Sequence, residues 1–147
     1  MIKWEGSGGN AGQSSAIQMM ICHGTPADLL MGYEHTPQQQ QPEGTAARGM
    51  LEAFLGGTPE QVRAVYLDAS PVQHVSKDTP PALLLHGTAD PLVLIEQAEV
   101  FAAALEKAGA SVELVRMEGA GHGDFGKEPD KVFARVTAFL QKHLLQR

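Results

Sequence analysis

Two short motifs in the second half of the chain hold the residue types needed to move a proton. His86-Gly87-Thr88-Ala89-Asp90-Pro91 offers a carboxylate, and Gly119-Ala120-Gly121-His122-Gly123 offers an imidazole, each set among small residues. A carboxylate held against one imidazole nitrogen fixes the tautomer and stabilises the imidazolium. The other nitrogen is then left to serve a nucleophile, first as base and then as acid. Asp90 and His122 are therefore the candidate acid and base. The structural alternative makes Asp90 a turn former and His122 a loop histidine. A third reading gathers His86, Asp90, His122 and Asp124 as imidazole and carboxylate ligands of a metal, although no tight ligand pair of the HExxH type accompanies them.

The pair can meet only if both loops leave one edge of one sheet. Ile17 to Ile21 is a nearly uncharged apolar run suited to a strand buried on both faces, Pro80-Pro81 leads into a second at Ala82 to His86, and Ser111 to Met117 alternates as a third. Between the last two, Leu94 to Ala108 repeats apolar residues at helical spacing and stops at Gly109; Pro129 to Leu145 closes the chain with an amphipathic helix. That alternation predicts an α/β fold with a parallel sheet of about three strands, near 17–23, 82–86 and 111–117, flanked by helices. In such a sheet, ligands bind beyond the carboxyl ends of the strands, where both candidate loops lie.

The remaining chain reads as connection. Residues 1–15 form a Gly/Ser-rich loop, and 31–45, with two prolines and a glutamine run, form an excursion loop. Met50, Leu51, Phe54 and Leu55 mark one face of a short helix that stops at Gly56-Gly57. Thr58, Pro59 and Gln61 supply a cap, a first-position proline and a capping partner for another helix to about Leu67.

HGTADPLV followed by GAGHG resembles the end of the α/β-hydrolase superfamily, in which the triad runs Ser, then Asp or Glu, then His. Pro26-Ala27-Asp28-Leu29-Leu30, Ala69-Ser70-Pro71-Val72, His74-Val75-Ser76-Lys77-Asp78 and Pro80-Pro81 are similar, more narrowly, to an esterase and lipase group that includes dienelactone-hydrolase-like and bacterial feruloyl-esterase-like enzymes. The likeness extends along nearly the whole chain as the carboxy-terminal part of that fold, a single partial domain over 1–147. It implies hydrolysis of a small carboxylic ester, without a cofactor, with Asp90 and His122 as triad acid and base.

The resemblance also calls for a serine on a sharp strand-to-helix turn. Ser7, in Glu5-Gly6-Ser7-Gly8-Gly9, lacks the first glycine; Ser14, in Gly12-Gln13-Ser14-Ser15-Ala16, runs into a strand rather than a helix. The stretch instead resembles the loop that follows the nucleophile helix. The expectation is therefore a serine upstream of Met1, with Ser7 the candidate within the chain. A fragment that self-associates without turning over esters is the alternative. An apolar flank on the first strand predicts a homodimer or higher assembly, domain-swapped in one form.

A net charge of −6 over 147 residues, with lysines and arginines scattered, excludes a nucleic-acid stripe. Apolar runs such as Ala82 to Leu85 are too short to cross a bilayer. A lone Cys22, read as a small buried hydrophobe, makes no internal disulfide, and with no secretory pattern the expected location is cytoplasmic. His23, His35, His74 and His143 read as structural or solvent-facing, and Asp28 as a cap for the segment after the first strand.

Overall fold

The computed structural model describes residues 8–10, 12–35 and 42–144, with side chains of the last stretch from residue 47 onward. Three parallel strands, β1 (Met20–His23), β2 (Ala82–Gly87) and β3 (Val112–Met117), lie in the order β1-β2-β3. Helices α1 (Leu29–His35), α2 (Pro42–Leu55) and α3 (Pro59–Ala69) fall between β1 and β2. Helix α4 (Glu96–Ala108) joins β2 to β3, and α5 (Pro129–Leu144) follows β3.

All residues of β2 are buried, and their alternation divides the core in two. Ala82 and Leu84 pack with Phe101, Ala102 and Leu105 of α4, whereas Leu83 and Leu85 pack with Val132 and Phe139 of α5. Successive strand residues face opposite sides, so the sheet is a middle layer between two helices. A continuous Ala-Leu-Leu-Leu run suits this position because neither face meets water.

The first strand is shorter than the apolar run before it. Pairing begins at Met20 opposite Ala82, with the Met20 N–H donating to the Pro81 carbonyl at 2.9 Å. Pro80 and Pro81 have no N–H to extend the ladder toward residue 17, and Ile17 is 57% exposed. Residues 8–10 and 12–19 carry neither helix nor strand, in keeping with a loop; the rest of 1–15 lies outside the described residues.

The expected excursion loop at 31–45 is corrected at both ends. Met31 to His35 belong to α1, and α2 starts at Pro42, while 36–41 lie outside the described residues. Asp28 caps α1, its Oδ1 accepting the Met31 N–H at 2.9 Å, and Leu29 and Leu30 are buried against Leu55 and Tyr66. A seven-residue helix is too short to display a repeating pattern, so its cap and tertiary burial determine it. Tyr33 of α1 donates its hydroxyl to Glu52 of α2 at 2.6 Å, a bond that holds the phenol's pKa up to about 12.

Helix α3 has Pro59 at its first position, and the Gln61 side chain accepts the Thr58 N–H at 3.0 Å, as the sequence indicated. It is bent at Val62 and continues to Ala69. Ser70, fully buried, donates to the Tyr66 carbonyl at 2.7 Å and accepts the Leu29 N–H at 2.9 Å, tying α3 to α1.

Candidate active site

The carboxyl ends of β2 and β3 are locked together by their outgoing loops. Thr88 N–H donates to the Met117 carbonyl at 3.1 Å and Ala89 N–H to the Ala120 carbonyl at 3.0 Å, while Thr88 Oγ1 accepts the Gly119 N–H at 2.9 Å. Gly87 makes this approach possible. A Cβ there would lie 2.3 Å from the Ala120 carbonyl oxygen, so only glycine lets the two loops touch.

Asp90 emerges from the first of these loops with a side chain only 1% exposed. Its Oδ1 accepts the Leu92 and Val93 N–H groups, both at 2.9 Å, and its Oδ2 faces His122 Nδ1 at 2.8 Å. A buried carboxylate needs such donors to compensate for lost water. The His122 side chain is 41% exposed. With Nδ1–H directed at Asp90, the neutral ring keeps its lone pair on Nε2, the nitrogen needed to accept a proton.

The other predicted residues divide clearly. His86 is buried, and its Nε2 donates to the Val93 carbonyl at 2.7 Å, while the same nitrogen stands 3.6 Å from Asp90 Oδ2. A ring nitrogen carrying that proton has no lone pair for a metal. Asp124 accepts from Gly126 N–H at 2.7 Å and Gly121 N–H at 3.4 Å, shaping the loop that presents His122. Among the described residues, no group of three or more His, Cys, Asp or Glu side chains is placed to hold a metal ion. Ser7 lies outside the described residues. Ser14 is exposed, its Oγ accepting the Ala16 N–H at 3.2 Å.

His23 ends β1 with its ring 4.8 Å from that of Phe125, and its buried Nε2 has no hydrogen-bond partner among the described residues. Cys22 is partly buried; burial pushes its thiol pKa up, and a side-chain hydrogen bond with Thr25 offsets part of that.

Two features escaped the sequence reading. One is a cavity of about 250 Å³ whose lining includes Leu29, Met31, Leu51, Phe54, Leu92 and Leu94. The acid loop therefore forms part of an apolar hollow. Its residues come from three separated segments, so no local pattern signalled it. The other is Gly24, whose backbone lies against the His122 ring. A glycine directly after a strand reads as a turn, although glycine at the carboxyl ends of two neighbouring strands was a usable sign of close approach.

The three-stranded parallel sheet, covered on both faces by helices, has the architecture of the carboxy-terminal part of the α/β-hydrolase fold. A family model described as the prolyl oligopeptidase family matches residues 45–147, and the chain belongs to that family. The chain is 34% identical over 89 residues to the esterase LipC of Mycobacterium tuberculosis, an alignment covering 60% of this chain and 21% of LipC. A puromycin-hydrolyzing peptidase from M. tuberculosis superposes with a TM-score of 0.76 at 26% identity, covering 90% of this chain and 19% of the peptidase. A thermophilic esterase of Thermogutta terrifontis, Est2, superposes with a TM-score of 0.65 at 29% identity, covering 95% of this chain and 47% of Est2. The chain thus spans less than half the length of each of these proteins.

Proposed function

We propose that the chain carries the acid and base of a serine hydrolase acting on carboxylic esters, with Asp90 orienting His122. The observation that carries this reading is the 2.8 Å contact between His122 Nδ1 and Asp90 Oδ2, which leaves Nε2 on the exposed ring as the working nitrogen. In the reaction, Nε2 takes the proton of a serine hydroxyl as its oxygen bonds to the ester carbonyl carbon. It then delivers that proton to the departing alkoxide as the acyl–oxygen bond breaks. Water repeats the sequence on the acyl-enzyme, and Asp90 steadies the imidazolium both times without taking its proton. The serine comes from outside the described residues, either Ser7 or a serine on a preceding segment of a longer polypeptide. The apolar cavity beside the acid loop, at about 250 Å³, suits a small apolar acyl or alcohol group. The single cysteine supports the expected cytoplasmic setting.

The family match and the peptidase neighbour favour a second reading in which the same pair cleaves an amide. Turnover of p-nitrophenyl acetate and of an aminoacyl p-nitroanilide by the polypeptide that carries the serine, and by its His122→Ala variant, separates the two. The ester reading expects wild-type ester turnover above background, falling about 10²- to 10⁴-fold in the variant. Equal rates above background in the two proteins overturn the assignment of the pair, and preferential cleavage of the anilide replaces ester with amide.

A further inference from the structure

We propose that Gly24 is a positioning residue whose bare Cα forms the seat of the His122 imidazole. This inference rests on the acid–base reading above, but its principal measurement does not require turnover. Gly24 is buried directly after β1, and its N–H donates to the Leu85 carbonyl at 3.0 Å. The seat is therefore held by the ladder with the central strand. A Cβ built on Gly24 lies 3.2 Å from His122 Cε1, 3.3 Å from Nδ1 and 3.6 Å from Asp90 Oδ2. One hydrogen atom in place of a methyl thus separates β1 from both members of the pair.

The two sides of this contact differ in stiffness. Gly24 is buried and paired into the sheet, whereas His122 is on a loop with a side chain 41% exposed. Ordinary carbon contacts lie at about 3.5–4.0 Å, so an added Cβ must displace something by a few tenths of an ångström. The ring is the softer party, and the displaced atom is the Nδ1 that meets Asp90. The same position has φ +57°, so β1 turns away here in a conformation that glycine adopts without penalty.

Backbone preference and the seat are separable. Asn tolerates the left-handed region but still brings a Cβ, so Gly24→Asn relieves much of the conformational penalty and keeps the collision. Gly109 ends α4 at φ +80° with nothing within 4 Å of a built Cβ, so Gly109→Ala introduces the backbone penalty alone.

The experiment is proton NMR of the His122 Nδ1–H, seen at low field through its bond to Asp90 and assigned by its absence in His122→Ala. It is run on the full chain for Gly24→Ala, Gly24→Asn and Gly109→Ala beside wild type. The expected result is a moved or lost resonance in both Gly24 variants and an unchanged one in Gly109→Ala. In esterase assays of the polypeptide that carries the serine, kcat falls about tenfold or more with KM little changed. A structural glycine would lower the melting temperature without altering the resonance. An unchanged resonance in a folded Gly24→Asn therefore overturns the inference, even if Gly24→Ala does not fold. Full esterase activity in His122→Ala would instead defeat the hydrolase reading, leaving the resonance test to decide on Gly24 separately.

Discussion

Asp90 accepts from Leu92, Val93 and His122, so its negative charge is met by donors from its own loop and from the loop across the sheet edge. Ser70 has a comparable position in the structural core, with one hydroxyl serving both α1 and α3. Ser70→Ala leaves the buried Leu29 N–H without its acceptor, which costs about 1–3 kcal/mol. The guanidinium unfolding midpoint is expected to fall accordingly at constant m; an unchanged midpoint would show that Leu29 finds another partner. Residues of this kind were only partly legible in the sequence. Asp90 and His122 stood out because they follow successive predicted strands in acid-then-base order, and Ser70 appeared within a family-like motif without a stated role. Gly24 and Gly87 contribute by having no side chain; their place at two neighbouring strand ends hints at a close approach, but what they approach is visible only once the neighbouring loop is known.

At the scale of elements, the loops after β2 and β3 behave as one joined piece. Gly87→Ala drives a Cβ into the Ala120 carbonyl, which is backbone and cannot rotate aside. The joint must open to accommodate it. We expect a destabilisation of at least about 2 kcal/mol in thermal or denaturant unfolding; wild-type stability in this variant would contradict the tight joint. The elements with regular patterns, β2, β3, α4 and α5, fall close to where the sequence places them because β2 is an unbroken apolar run, β3 alternates apolar and charged residues, and the helices repeat apolar residues at helical spacing. Residues 31–35 of α1 and 42–45 of α2 fall in the stretch expected as loop because proline and glutamine dominate the local signal there. A cap at Asp28 and burial of Leu29 and Leu30 outweigh it for α1.

At the scale of the whole molecule, the two outer strands differ in what they present beyond their pairing with β2 among the described residues. Strand β3 carries Glu113 and Arg116, paired with Lys142 at 3.5 Å and Glu99 at 3.0 Å, a charged border of the kind that discourages further strand pairing. Strand β1 offers Met20, Ile21 and Cys22 instead, with Ile21 38% exposed, and among the described residues it pairs with β2 alone. This asymmetry leads us to expect self-association through β1. Sedimentation velocity at micromolar concentration should show a dimer or larger species for wild type and a shift toward monomer for Ile21→Lys. A wild-type monomer would refute the expectation. Among the described residues no helix is long and apolar enough to cross a membrane.

The burial of β2 on both faces and along both ladders also sets an order of opening. Each of its amides points to one neighbouring strand beneath helices on both faces, so they are expected among the slowest to exchange, whereas the backbone of the loop that follows the edge strand β3 is held to the acid loop at Met117, Gly119 and Ala120. Asp90 follows directly from the protected strand. The segment that carries His122 lies beyond this joint at Gly119 and Ala120, so it is expected to fluctuate before Asp90 does.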